Sequence, residues 1–170
     1  ASLGIGDGDT VAIIANNCVE WAVAAYATYS LCARYVPMYE SLLPHERDYI
    51  LADSDARLVF VRNSDIAADL QCRVGQIGRL QHVVAFSAAP GCQTLAELMR
   101  PSRPGCKSIV TMQRDAIAGL VYTSGTTGTP KGVIITHGNL LAQIEAVSTS
   151  QEVHSDDRSL SILPWGHLMG

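Results

Sequence analysis

Apolar and polar positions along the chain alternate in a way that predicts strands and helices in turn. Short apolar runs bounded by Gly, Pro, Asp or Asn are typical of strands buried on both faces of a sheet. Such runs lie at residues 10–15, 36–39, 57–61, 82–86, 120–122, 133–136 and 159–163. Stretches with helical character lie between them, at residues 18–33, 44–53, 65–74, 94–99 and 138–149. Strands that alternate with helices predict an α/β fold, a mostly parallel sheet with helices on both faces.

The ends of several predicted helices carry local signals. Asn17 is a candidate N-cap with Glu20 three positions later, as in a capping box. Pro44 can open the second helix, because proline is well tolerated at the first helical position. His137 follows a strand and is expected to mark the entry of the last helix rather than to act in catalysis. Residues 87–114 are rich in Pro and Gly and are expected to form an irregular surface excursion.

Composition narrows the class of protein. A hydrophobic content of 48% and a charged content of 16% over 170 residues suit a domain with a buried sheet. The net charge of −4 and the scattered basic residues argue against nucleic-acid binding. Five cysteines, without a Cys-x-x-Cys pair, favour reduced thiols in the cytoplasm over a metal site. Residues 1–10 lack the regions of a signal peptide, and we expect no membrane anchor in this segment.

One loop carries the candidate chemistry. Residues 122–132 read Tyr-Thr-Ser-Gly-Thr-Thr-Gly-Thr-Pro-Lys-Gly and lie between two predicted strands. Glycines let the backbone adopt positive φ and bring several N–H groups toward one anion. Hydroxyl groups and a lysine ammonium add donors, although hydroxyls can also satisfy their own turn. The predicted phosphate-binding residues are Thr123, Ser124, Gly125, Thr126, Thr127, Gly128 and Lys131.

This loop differs from the Walker A loop, in which Gly-Lys is followed by Ser or Thr and by a helix. Here Pro130 precedes Lys131, Gly132 follows it, and the next residues are a β-branched run typical of a strand. A loop between two strands has no helix dipole to offer. The amides, the hydroxyls and Lys131 must therefore bind the anion themselves.

Residues 122–132 resemble the signature loop of the adenylate-forming, or AMP-binding, superfamily, which includes acyl-CoA synthetases, luciferases, coumarate ligases and peptide-synthetase adenylation domains. Residues 31–40 are similar to the family's second conserved box, with Arg34 where glycine or alanine is usual. Residues 163–167, Leu-Pro-Trp-Gly-His, resemble the next box. Together with residues 52–60, the pattern is most similar to that of the long-chain fatty acyl-CoA synthetases.

The resemblance implies a reaction and roles for named residues. A fatty acid would attack ATP to give an acyl-adenylate, and the acyl group would then pass to coenzyme A, with Mg²⁺ as the metal cofactor. Lys131 and His167 would be catalytic, and Trp165 and His167 would contact the acyl substrate. Structural roles for Trp165 and His167 stay open as alternatives. Thr123 is expected near the Mg²⁺, but no residue is assigned as a metal ligand.

The resemblance also implies that residues 1–170 are part of the large N-terminal domain of such an enzyme, without its C-terminal domain. We expect this chain to be inactive alone, and the longer protein to be cytoplasmic, with room for peripheral membrane association. Two alternatives stay open. The first is another adenylate-forming enzyme, such as a coumarate ligase or a peptide-synthetase adenylation domain. The second is a non-catalytic, truncated nucleotide-binding module.

Overall fold

The computed structural model describes residues 2–100, 111–123, 129–150, 154, 156–158 and 160–166. The strands are β1 (Thr10–Ile14), β2 (Arg34–Met38), β3 (Ala56–Val61), β4 (His82–Ala85), β5 (Gln93–Thr94), β6 (Ile117–Thr123) and β7 (Lys131–Thr136). The helices are α1 (Val19–Tyr29), α2 (Pro44–Asp53), α3 (Ser64–Cys72), α4 (Leu95–Leu98) and α5 (His137–Ser150). The strands form one sheet in the order β5-β4-β3-β1-β2-β6-β7. Among these described strands, β6 and β7 pair antiparallel and the other neighbours pair parallel.

The sheet is covered by helices on both faces, which confirms the α/β prediction. Successive side chains of a strand point to opposite faces, so the all-apolar β1 contributes to two cores. On one face Ala12 and Ile14 pack with residues of α2 and α3. On the other face Val11 and Ile13 pack with residues of α1 and α4. β1 lies inside the sheet, between β2 and β3, and is buried along its whole length.

The helix boundaries follow partly from local signals. Pro44 is the first residue of α2, as predicted. The side-chain oxygen of Asn63 caps α3 by accepting hydrogen bonds from the N–H groups of Asp65 and Ile66 at 2.9 and 3.1 Å. The prediction that Asn17 caps α1 is wrong: the N-cap is Cys18, which makes no side-chain capping bond. The side-chain amide of Asn17 instead forms hydrogen bonds with the backbone of Leu163 and Trp165, far along the chain.

The β6–β7 pair is longer than the apolar pattern predicted, since β7 already begins at Lys131. β6 joins the parallel sheet through one register pair, Tyr35 with Gly119. A Cβ added to Gly119 would lie 2.1 Å from the carbonyl oxygen of Tyr35, so only glycine fits there. Pro37 lies in β2 beyond this pairing, where a missing N–H costs no bond to β6.

The strand predicted at residues 159–163 is wrong for residues 160–163, which form neither strand nor helix; residue 159 lies outside the described residues. Leu160 and Ile162 are 88% and 76% exposed, so the apolar run is not buried against the sheet. The irregular excursion at 87–114 contains β5 and α4, and its residues 101–110 also lie outside the described residues. None of the described helices is long and apolar enough to cross a membrane.

Candidate functional site

The predicted phosphate loop begins and ends at one edge of the sheet. β6 runs parallel to β2, so its carboxyl end lies at the edge where the other parallel strands end. At this edge Thr123 and Lys131 stand opposite each other as a register pair of the antiparallel β6–β7 ladder. Both residues are exposed. The hairpin therefore presents a hydroxyl group and an ammonium group together at the mouth of the loop.

Several predicted site residues cannot be placed. Ser124, Gly125, Thr126, Thr127 and Gly128 lie outside the described residues, and so does His167. Their assigned roles remain predictions.

The ammonium of Lys131 is unpaired among the described residues: the ion pairs there join Asp9 with Arg57, Arg73 with Asp48 and Asp69, and Arg114 with Glu145. A paired lysine would have its charge partly neutralised by a carboxylate. An exposed lysine that makes no ion pair with the described residues can bind an anionic ligand through its ammonium group.

The base of the hairpin is tied to the rest of the domain by Tyr122. Its hydroxyl donates a hydrogen bond to the Asp53 carboxylate, with 2.6 Å between the two oxygens. The pKa of the Tyr122 hydroxyl is raised, mainly by its burial and then by the neighbouring carboxylate of Asp53. The ring also lies over Gly132, whose added Cβ would be 3.1 Å from the ring carbon Cζ. This tie fixes the strand position immediately before Thr123.

Trp165 lies at a cavity of about 160 Å³ on the face of the sheet that α1 covers. Its ring packs edge to face against Trp21, with ring centroids 5.6 Å apart. Its indole N–H donates to the Ser161 hydroxyl at 2.7 Å. The cavity wall includes Tyr29, Tyr35 and residues 118–121 of β6. The strand that leads into the phosphate loop therefore also lines the cavity beside Trp165.

Two residues beside Trp165 were missed as site residues by sequence reasoning. Asn17 bonds to the backbone on both sides of Pro164, and Trp21 packs against Trp165. These contacts join residues far apart in sequence, so no local pattern signals them. The local pattern at Asn17 pointed instead to a helix cap.

His137 is the first residue of α5, which confirms the predicted helix entry. Its ring packs against Tyr29 at a centroid distance of 5.5 Å, and burial lowers its pKa. The helix start is held by Thr136 and Asn139: each side chain accepts the other's backbone N–H, at 3.2 and 3.0 Å. His137 is therefore a packed, neutral residue at neutral pH.

The described residues do not form a metal site. No group of three or more His, Cys, Asp or Glu side chains in this part of the chain could hold a metal ion. Thr123 by itself supplies one neutral oxygen, whereas Mg²⁺ in proteins is usually held through one or two carboxylates. The donor set on these residues therefore does not fit a protein-bound Mg²⁺.

Comparison with known proteins identifies the class. The family model described as AMP-binding enzyme matches residues 1–170, so the chain belongs to the AMP-binding enzyme family. This confirms the resemblance inferred from the loop. Solved structures similar to this chain include CoA ligases in complex with acyl-adenylates. The anthranilate CoA ligase AuaEII, in complex with anthranoyl-AMP, is 30% identical, with a TM-score of 0.74 over 86% of this chain and 29% of that chain.

Two curated relatives are named for chemically different acid substrates. The long chain acyl-CoA synthetase 2 of Arabidopsis thaliana is 28% identical over 98% of this chain and 28% of its own length. The sulfoacetate–CoA ligase of Cupriavidus necator is 35% identical over all of this chain and 33% of its own length. The chain thus spans about a third or less of the length of these relatives. Ligases for chemically different acids are similar to it at comparable identity.

Proposed function

We propose that this chain supplies the phosphate-binding part of an AMP-forming acid–CoA ligase, and that the longer protein activates a fatty acid. The observation that carries the proposal is the register pair of Thr123 and Lys131 at the mouth of the loop. Membership of the AMP-binding enzyme family supports the same reading. In the following, the full-length enzyme means the longer protein that we propose contains residues 1–170.

The chemistry explains why such a loop is needed. A carboxylate is a poor acyl donor, because an oxide would have to leave. One carboxylate oxygen attacks the α-phosphorus of ATP, the bond from that phosphorus to the bridging oxygen breaks, and pyrophosphate leaves. The thiolate of coenzyme A then attacks the acyl carbon, and AMP leaves with the electron pair of the acyl–oxygen bond.

Lys131 has a defined part in the first step. Negative charge grows on the departing pyrophosphate, and a preorganised cation or N–H donor there stabilises the transition state more than the ground state. An exposed ammonium at the start of β7, with no ion pair among the described residues, is suited to that task. The loop residues 124–128 would add backbone and hydroxyl donors. Mg²⁺ would enter with ATP as part of that substrate, since the described residues offer no group of ligands for it.

The acid is proposed to lie toward Trp165. The cavity there is lined mainly by aromatic and aliphatic side chains, including Trp21, Tyr29, Tyr35 and Leu140. Such a lining favours an apolar acyl group over a sulfonate, because a buried charged group needs paired partners. This supports a fatty acid as substrate, with His167 proposed as a second contact. An aromatic acid would be the alternative occupant of an aromatic cavity.

The test is a substrate panel on the full-length enzyme. ATP, Mg²⁺ and coenzyme A are supplied with short, medium and long fatty acids, coumarate, anthranilate and sulfoacetate, and AMP release is measured. The proposal expects the highest kcat/KM for a fatty acid. Preference for an aromatic or sulfonated acid would overturn the fatty-acid assignment but keep the ligase class. Absence of AMP release with every acid, together with undetectable ATP binding, would favour the non-catalytic alternative.

A further inference from the structure

The side-chain amide of Asn17 pairs with the backbone around Pro164. Its Oδ1 accepts the Trp165 N–H at 2.7 Å, and its Nδ2 donates to the Leu163 carbonyl oxygen at 2.7 Å. The two groups flank Pro164, and a primary amide carries both an acceptor oxygen and N–H donors. One primary amide can therefore bind both groups. Asn17 thus binds the backbone on both sides of Pro164.

Within the described part of the chain, few contacts hold residues 160–166 to the domain. Among the residues that the structure describes, the two Asn17 bonds are the hydrogen bonds that join this segment to the rest of the chain. A second tie is the edge-to-face contact of Trp165 with Trp21, which in turn packs on Tyr35 with ring centroids 5.1 Å apart. Gly166 also lies near Tyr39, whose ring would be 3.5 Å from a Cβ added to that glycine. Trp21 and Asn17 lie on either side of the start of α1. The start of α1 thus positions both the backbone and the ring of Trp165.

We propose that Asn17 is a positioning residue that holds Trp165 in the acid-binding site. The inference rests on the proposed function, because it takes Trp165 as a contact of the acyl group. Loss of the amide frees the backbone at Leu163 and Trp165, so the Trp165 ring leaves its packed position. Binding of the acid is weakened, whereas Thr123 and Lys131, which are held by the β6–β7 ladder, stay in place. ATP binding is therefore unaffected.

Three variants of the full-length enzyme separate this role from a general loss of stability. Asn17→Ala removes both hydrogen bonds. Asn17→Asp keeps the oxygen that accepts the Trp165 N–H but loses the donor to Leu163. Asn16→Ala is the matched control: Asn16 is exposed, and its hydrogen bond to the Glu40 carboxylate comes from the backbone N–H, which the variant keeps. Because each lost bond weakens the tether, Asn17→Ala should raise the KM for the acid about tenfold. Asn17→Asp should raise it at least as much, since its second carboxylate oxygen then faces the Leu163 carbonyl oxygen. The KM for ATP should stay within about twofold in all three variants.

A second readout does not depend on turnover. The full-length enzyme is labelled with 5-fluorotryptophan, and the fluorine resonance of Trp165 is assigned with Trp165→Phe. The resonance should move toward the position of a solvent-exposed indole in Asn17→Ala and stay in place in Asn16→Ala. An unmoved resonance in Asn17→Ala would overturn the tether. A moved resonance with an unchanged KM for the acid, or equal rises in the KM for acid and for ATP, would overturn the positioning role. If the wild-type enzyme activated no acid, the proposed function would fail, and the fluorine spectrum would still decide whether Asn17 holds Trp165.

Discussion

Replacement of Gly119 by alanine tests how the phosphate hairpin is joined to the sheet. The added Cβ would lie 2.1 Å from the carbonyl oxygen of Tyr35 and 3.1 Å from its carbonyl carbon, in a place where backbone cannot give way as a flexible side chain does. Real Cβ atoms essentially never approach a neighbour closer than 3.0 Å. β2 and β6 must therefore move apart by about 0.9 Å, which breaks hydrogen bonds of normal length between them.

The magnitude follows from what this junction holds. Tyr35 with Gly119 is the register pair that joins β6 to β2, and Ala118 and Ile135 are buried next to it. Overpacking costs about 1–3 kcal/mol where neighbours can adjust, and here the obstacle is backbone. We expect the free energy of local opening of the β6–β7 pair to fall by about 3 kcal/mol. That corresponds to roughly 100-fold faster amide exchange, at 1.4 kcal/mol per tenfold change.

The assay is hydrogen–deuterium exchange of the full-length protein, read by mass spectrometry. Peptides covering β6 and β7 should exchange about 100-fold faster in Gly119→Ala, and those covering β3 and β4 should be unchanged. Gly6→Ala is the control, because nothing lies within 4 Å of its added Cβ. Wild-type exchange rates for β6 in Gly119→Ala would refute the close approach of the two strands.

Two further predictions concern Tyr122 and Trp165. Tyr122→Phe removes the hydrogen bond to Asp53, which should lower the local stability of β6 by about 1 kcal/mol. The backbone amides of β6 should then exchange faster with solvent. Burial and Asp53 raise the pKa of Tyr122 in the folded protein. Its hydrogen bond therefore contributes fully to the free energy of unfolding below about pH 10, which is the pKa of an unfolded tyrosine. That contribution is lost as the pH rises through the folded pKa. Unfolding midpoints measured on the alkaline side should fall more in the wild type than in Tyr122→Phe, in which the buried Tyr29 and Tyr35, whose pKa values burial also raises, still lose their contribution. Trp165→Ala should change the chain-length preference of the full-length enzyme and leave the KM for ATP nearly unchanged. Equal losses for short and long acids would indicate simple destabilisation.

The order of elements could be predicted because apolar runs and helix signals are local. β1 is apolar throughout and is buried in the sheet, and Pro44 opens α2 where expected. The cap of α3 at Asn63 carried the same kind of local signal and was missed. The order of strands is different, because it depends on which strands fit side by side. The place of β6 next to β2 depends on the missing Cβ of Gly119 against Tyr35, a contact that no sequence period reports.

The wrong predictions share a physical cause. Asn17 fits the local pattern of a helix cap, but its amide gains two hydrogen bonds from backbone groups near residue 164. Residues 159–163 look like a strand by composition, yet residues 160–163 pair with no strand in the described part of the chain, and Leu163 is bound by a side chain. In both cases a partner distant in sequence outweighs the local preference. The candidate loop could be located from the sequence because glycines, hydroxyls and one lysine are concentrated in it; the roles of its residues stay predictions.

The most direct test of the phosphate-binding proposal is ATP–pyrophosphate exchange by Lys131→Ala in the full-length enzyme. Loss of one preorganised donor at the departing pyrophosphate should slow exchange about 100- to 1,000-fold and leave fatty-acid binding unchanged. The control is Arg62→Ala, which removes one exposed positive charge just after β3, at the same edge of the sheet. We predict near-normal exchange for Arg62→Ala and severely slowed exchange for Lys131→Ala. Wild-type exchange rates in Lys131→Ala would contradict the role of this loop in adenylate formation.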